Sequence, residues 1–239
     1  MRMPYVGMLF CSIALAWMLT TPTQAQLPEA KIDVRMHLLF PHPQKNHHTP
    51  PAVLWLKSLQ GGSSLPFPPR DHYTLAQKNR MFTPHLLVVP VGSTVFFPNE
   101  DPFFHNVFSL FDGKRFDLGL YEAGSVKEVT FSREGFSYIF CNIHPEMSAV
   151  VLALSTPLYA IADASGAFQL RDVPAGEYEL HLWVEGAPQP VLDKLVRKIR
   201  VTPSTGDLGE LSMTALPQQP ATHLNKFGQP YDRDAKPTY

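Results

Sequence analysis

Cys141, His144 and Met147 stand at the spacing Cys-x-x-His-x-x-Met within Cys141-Asn142-Ile143-His144-Pro145-Glu146-Met147. Thiolate, imidazole and thioether on one short run make a donor set suited to copper. A thiolate binds Cu(II) and Cu(I) strongly, imidazole accepts either state, and a thioether is a weak, soft ligand that favours Cu(I). A trigonal arrangement needs a second imidazole. His105, in Asn99-Glu100-Asp101-Pro102-Phe103-Phe104-His105-Asn106-Val107, offers it. The candidate ligands to one copper ion are His105, Cys141, His144 and Met147.

Holding four such side chains together needs a rigid frame, and the rest of the chain reads as short strands. Its 239 residues include 24 prolines, aromatics make up 11%, and few segments show helical periodicity. That combination predicts an all-β protein with many turns. The formal net charge of −1 gives no reason to expect a nucleic-acid partner or an anionic membrane surface.

Met1-Arg2-Met3 precede an apolar run from Val6 to Leu19, and Thr23-Gln24-Ala25 makes a small-residue cleavage site. Residues 1–25 therefore read as a secretory signal peptide, too short to span a membrane, and the mature chain is expected to be periplasmic or otherwise exported with no membrane span. Of the two cysteines, Cys11 leaves with the leader and Cys141 remains alone. An exported lone thiol cannot form an internal disulfide and is open to oxidation, so burial or a metal has to protect it. The adjacent His and Met favour the metal.

Along the chain, Lys31 to Leu38 alternates apolar and polar as a half-buried strand, followed by a loop rich in Pro and His (His42, His47, His48) that completes a unit at 26–51. Ala52 to Leu59 reads as a buried strand. Strand-like runs then follow at 81–91, 94–97, 107–110, 126–131 and 136–140, with a final buried strand at 149–154. Their spacing fits a Greek-key sandwich over 52–155. A second β unit covers 156–213, and 214–239 is expected as a flexible tail, either mobile or packed extended along the surface.

Phe82-x-Pro84, Gly92-x-Thr94-Val95-x-Phe97-x-Asn99, His105-Asn106-Val107 and Cys141-x-x-His144-x-x-Met147 together resemble the cupredoxins. The short ligand loop is similar to that of amicyanin and the pseudoazurin/plastocyanin branch, and the whole to cupredoxin-type chains labelled "methylamine utilization protein". The resemblance implies one type 1 (blue) copper ion, with His105, Cys141 and His144 equatorial and Met147 axial. It also implies that the Asn106 backbone N–H points at the sulfur while its side chain ties the two ligand segments together. Where amicyanin and plastocyanin often carry proline two residues after the cysteine, this chain has Ile143, whose N–H is free to donate a second hydrogen bond to the sulfur. Pro145 should restrict the swing of His144. Separately, Asp163-x-x-Gly166-x-Phe168 and Val173-Pro174-x-Gly176-x-Tyr178 resemble the carboxypeptidase-regulatory-like, or transthyretin-like, β-sandwich, a module that is usually structural. The strand at 31–39 could pair with either unit.

Other candidates have simpler readings. His85, His72 and His181 carry no partner pattern and read as surface or structural histidines, and Met81 as a strand residue. The Phe-rich stretch (Phe96, Phe97, Phe103, Phe104, Phe108, Phe111) reads as core plus an apolar rim. Glu122 and Glu146 are not paired at a catalytic spacing, and no Ser/His/Asp order, phosphate loop or zinc signature occurs. The expectation is a non-enzymatic exported copper protein. It would carry single electrons to or from a redox partner such as a c-type cytochrome or a dehydrogenase. The alternatives are copper binding and delivery, or a structural envelope interaction module.

Overall fold

Exposed and buried residues alternate without a break along Lys31–Leu39, with Ile32, Val34, Met36 and Leu38 turned inward. This is the period-2 signature of a strand with one wet face. The computed structural model describes residues 31–40, 49–60, 65–70, 72–110, 113–213 and 223–231. The expected leader with Cys11, the Pro/His-rich residues 41–48, Phe111, and tail residues 214–222 and 232–239 lie outside the described residues.

The strands in chain order are β1 (Lys31–Leu39), β2 (Ala52–Ser58), β3 (Tyr73–Thr74), β4 (Ala76–Lys78), β5 (Met81–Thr83), β6 (Leu86–Pro90), β7 (Ser93–Pro98), β8 (His105–Ser109) and β9 (Phe116–Tyr121). They continue with β10 (Val126–Phe131), β11 (Gly135–Phe140), β12 (Ser148–Leu154), β13 (Tyr159–Ile161), β14 (Ala167–Pro174), β15 (Gly176–Val184), a one-turn helix α1 (Gln189–Asp193), β16 (Arg197–Val201) and β17 (Asp207–Ser212). The fold is all-β, as the composition and turn pattern suggest.

Two sandwiches result. One pairs a sheet ordered β10-β7-β3 with a sheet ordered β6-β12-β11-β8-β9, around a core that includes Val95, Phe97, Phe131, Ile139 and Val151. The other pairs β14-β1-β17 with β13-β2-β15-β16, around Met36, Leu54, Leu56, Phe168 and Leu180. The boundary expected at residue 52 therefore moves. β2 pairs with β13 and β15 of the second sandwich, and β1 with its β14 and β17. The ligand-bearing sandwich starts at about Tyr73 and is inserted between β2 and β13. β2 is buried on both faces along Ala52–Leu56, and such a run carries no mark of which sheet it joins.

The sandwiches share an interface. In β12, Ala149, Val151 and Ala153 face the first core, while Val150, Leu152 and Leu154 join the second. Beside them on β11, Phe136 stacks on Trp183 at 5.7 Å between centroids and meets Trp55 edge-on at 6.0 Å. The Trp183 indole N–H donates to the Tyr138 hydroxyl at 3.2 Å. This backing fixes β11 and β12, the strands that enter and leave the Cys141–Met147 loop. Of the two expectations for the tail, residues 223–231 take the packed one, lying against that loop.

Candidate metal centre

β8 begins at His105, and β11 runs antiparallel to it with Phe140 opposite Phe108, so the start of one and the end of the other meet at the same edge. Cys141 follows β11 directly. The loop then closes on itself, the Cys141 amide donating to the Met147 carbonyl at 3.3 Å and the Met147 amide to the His144 carbonyl at 3.0 Å. A tight loop between two rigid strands thus carries Cys141, His144 and Met147, and the neighbouring strand carries His105.

Three donor atoms converge there. Cys141 Sγ lies 3.7 Å from His105 Nδ1 and 3.5 Å from His144 Nδ1, and the two Nδ1 atoms are 3.1 Å apart. Cys141 and His105 are fully buried and His144 is 6% exposed. Met147, 1% exposed, enters the same core as Cys141.

The electrostatics favour a soft metal over free charge. Burial pushes the Cys141 thiol up, opposed by the backbone amides of Asn106, Ile143 and His144, which aim at the sulfur and favour its thiolate. Burial pushes both imidazoles down, helped at His144 by the adjacent His105 ring and opposed at His105 by Asp101. Without metal the site is a thiol between two neutral rings, and a metal would displace the thiol proton.

Asp101 was not among the residues singled out by sequence. Its Oδ2 accepts from His105 Nε2 at 2.8 Å, at a carboxylate 6% exposed. That contact places the ring proton on Nε2 and leaves the Nδ1 lone pair facing the thiol, the tautomer a metal needs. Asp101 is itself held by the two-residue turn between β4 and β5: Asn79 N donates to Oδ1 at 2.6 Å and Arg80 N to Oδ2 at 2.9 Å. Both turn residues have positive φ, 55° and 56°, as a type I′ hairpin requires. Burial alone would raise the Asp101 carboxyl, but the Arg80 amide, the His105 ring and the Asn79 amide hold it below the ordinary carboxylate range. The Arg80 guanidinium lies 5.2 Å over Phe103, whose ring packs on His105 at 5.2 Å and His144 at 5.7 Å.

Asn106 joins the two ligand segments. Its Oδ1 accepts from the Asn142 amide at 3.3 Å, and its Nδ2 donates to Asp117 Oδ1 at 2.7 Å. Ile143 is half-buried against the core, and the Pro145 carbonyl accepts from His223 N at 3.3 Å.

The other histidines sit elsewhere. His85 Nε2 contacts Glu185 at 2.7 Å, His181 Nε2 contacts Glu179 at 2.7 Å while its ring stacks on Trp55, and His72 packs on Phe96. Met81 is 58% exposed on β5. Among the phenylalanines, Phe97 and Phe108 are core, and Phe104 is 46% exposed beside His105. Among the described residues, His105, Cys141 and His144 are the group whose ligand atoms gather within 4.8 Å. Two imidazole nitrogens and a thiol, buried and with no carboxylate among them, fit copper rather than a hard cation. Asp101 carried no periodic signal: it sits in a bend before His105, and its amide partners come from the turn between β4 and β5. The segment 223–231 left no signal, since its partners lie far away along the chain and follow no short-range spacing.

No family model and no curated protein matches the chain. Among solved structures it is similar to a purple cupredoxin from Nitrosopumilus maritimus, at 26% identity over 34% of this chain and 98% of that one, with a TM-score of 0.31. It is similar to a reduced amicyanin variant at 21% identity, over 35% and 82% of the two chains, with a TM-score of 0.33. A copper-containing nitrite reductase from Thermus scotoductus matches at 23% identity, over 49% of this chain and 28% of that one, with a TM-score of 0.33.

Proposed function

We propose that this chain is an exported protein with one copper ion in a type 1 site, held by His105, Cys141, His144 and Met147, and that it carries single electrons between redox partners. The observation that carries the reading is the convergence of His105 Nδ1, His144 Nδ1 and Cys141 Sγ within 4.8 Å, all three residues buried. Bound copper supplies a one-electron couple between Cu(II) and Cu(I). The chain's part is to hold the donors still. Asp101 fixes the His105 ring, β11 and three amides fix the Cys141 sulfur, and the closed loop fixes His144. Donors fixed by a rigid frame change little between oxidation states, which keeps reorganisation small. Four protein donors leave no position for a substrate, so the reading is a carrier and not an enzyme.

The leader pattern supports a periplasmic or otherwise exported location. The partner would be another redox protein, such as a c-type cytochrome or a dehydrogenase. No helix among the described residues is long and apolar enough to cross a membrane.

Visible absorption and EPR spectra of the mature protein loaded with Cu(II), beside Cys141→Ser and Met147→Leu, test the proposal. Intense thiolate-to-copper absorption that disappears in Cys141→Ser, with a spectrum altered in Met147→Leu, is the expected result. A colourless protein, or binding that survives loss of Cys141, overturns it. Ready surrender of copper to a chelator would favour delivery over electron transfer.

A further inference from the structure

We infer that His223–Tyr231 is part of the metal centre, a strap whose residues position the ligand loop from outside. The inference rests on the copper reading above for its purpose, though not for its geometry.

The backbone accounting of the loop leads to it. Cys141–Met147 satisfies part of its own backbone, but the carbonyls of Cys141 and Pro145 and the side-chain oxygen of Asn142 face outward. Buried or half-buried acceptors of this kind need partners. The strap supplies one to each: the Tyr231 hydroxyl donates to the Cys141 carbonyl at 3.0 Å, the Lys226 amide to Asn142 Oδ1 at 2.9 Å, and the His223 amide to the Pro145 carbonyl at 3.3 Å. Each contact falls on a ligand or on the residue beside one.

The contacts also close a circuit. Asn142 N donates to Asn106 Oδ1, Asn106 Nδ2 to Asp117 Oδ1, Lys226 Nζ to Asp117 Oδ2 at 2.8 Å, and Lys226 N to Asn142 Oδ1. Asn106 and Asn142 are the residues next to His105 and Cys141. The ring of bonds therefore ties the two ligand segments together through the strap, and loss of one link leaves a polar partner exposed to rearrangement.

Packing seats the strap. The His223 ring stacks on Phe140 at 4.3 Å, the residue before Cys141, and meets Phe108 at 5.9 Å and Tyr231 at 5.4 Å. Its shape is set internally. Asn225 Oδ1 accepts from Phe227 N and Gln229 N at 2.9 and 3.0 Å, and the Gly228 amide returns to the Asn225 carbonyl at 2.9 Å. Gly228 takes φ 76°, a conformation that favours glycine. This turn brings Lys226 and Tyr231 back against the same loop.

Tyr231 and Lys226 are thus positioning residues. They hold the donors in place before metal enters, and they must let go for the loop to open and release it. The test compares the full chain with Tyr231→Phe, which keeps the ring and removes one bond, and with Lys226→Pro, which removes the amide donor. Two readouts apply: amide hydrogen exchange over residues 141–147 in the metal-free proteins, and the rate of copper release to a chelator. Loop exchange should quicken in both variants while the β12 and β15 amides stay as protected as before, and release should quicken by a few-fold to about tenfold in Tyr231→Phe. Loop exchange and release unchanged in both variants overturn the inference. If the wild-type chain fails to bind copper, the proposed function falls, and the metal-free exchange data alone decide whether the strap holds the loop.

Discussion

Asp101 Oδ2 lies 2.8 Å from His105 Nε2, on the side of the ring opposite the nitrogen that faces the thiol. The same oxygen accepts from Arg80 N, and Oδ1 accepts from Asn79 N. One carboxylate therefore takes three N–H donors, and it couples a hairpin turn to the orientation of a metal-facing ring.

Asp101→Asn should weaken copper binding about 10- to 100-fold. The amide has one oxygen for those three donors and turns an N–H₂ towards one of them, so the His105 ring or the turn loses its anchor. Competition titration against a chelator of known affinity measures this. An affinity equal to wild type would show that the carboxylate does not orient His105.

Ile143→Pro should raise the redox midpoint. The Ile143 amide is among those aimed at Cys141 Sγ, where it favours the anionic sulfur. Proline has no N–H to give. The thiolate-rich Cu(II) state then loses more stabilisation than the Cu(I) state. Redox titration of both proteins, once their spectra show the same ligand set, checks the sign; an unchanged or lower midpoint in the variant sinks the argument.

Much of this was legible in sequence, for physical reasons that differ by region. β1 announces itself because one wet face forces strict alternation over Lys31–Leu39. The ligand loop announces itself through residue types that share little other use at that spacing. β9 did not read as a strand: Asp117 and Gly119 interrupt it, and as an edge strand it leaves Leu120 59% exposed. The boundary at Ala52 failed because a strand buried on both faces looks the same in either sandwich. Asp101 hid in a stretch that reads as a turn, since its role depends on amides from residues 79 and 80 that the fold brings to it.

The shared interface makes the ligand sandwich depend on its neighbour. Leu152, 1% exposed, belongs to the second core while its β12 neighbours Val151 and Ala153 belong to the first. Leu152→Ala should cost about 2–5 kcal/mol through lost burial and the cavity left behind. Urea unfolding of the metal-free protein, followed by tryptophan fluorescence and by far-UV circular dichroism, gives the value. A loss below about 1 kcal/mol would mean that the interface is loosely packed and backs the loop weakly.

His85 gives another contact between the sandwiches a pH dependence. Its Nε2 pairs with Glu185 at 2.7 Å, and its Nδ1 lies 3.0 Å from the carbonyl of Ser148, the residue after Met147. The Glu185 hydrogen bond raises the His85 pKa above 6.5; burial opposes it, and the Glu185 charge and the Ser148 carbonyl add to it. A raised folded-state value means that the protonated ring is favoured on folding. The stabilisation is therefore complete below 6.5 and fades as pH climbs through the raised value. With side chains 42% and 23% exposed, solvent screening holds the pair to about 1 kcal/mol or less. Glu185→Gln should lower the melting temperature most under mildly acidic conditions, and the gap from wild type should narrow as the solution turns alkaline. Melting curves of the two proteins across that range test it; a gap that is constant, or that widens with pH, would show that His85 does not clamp the sandwiches through its charge.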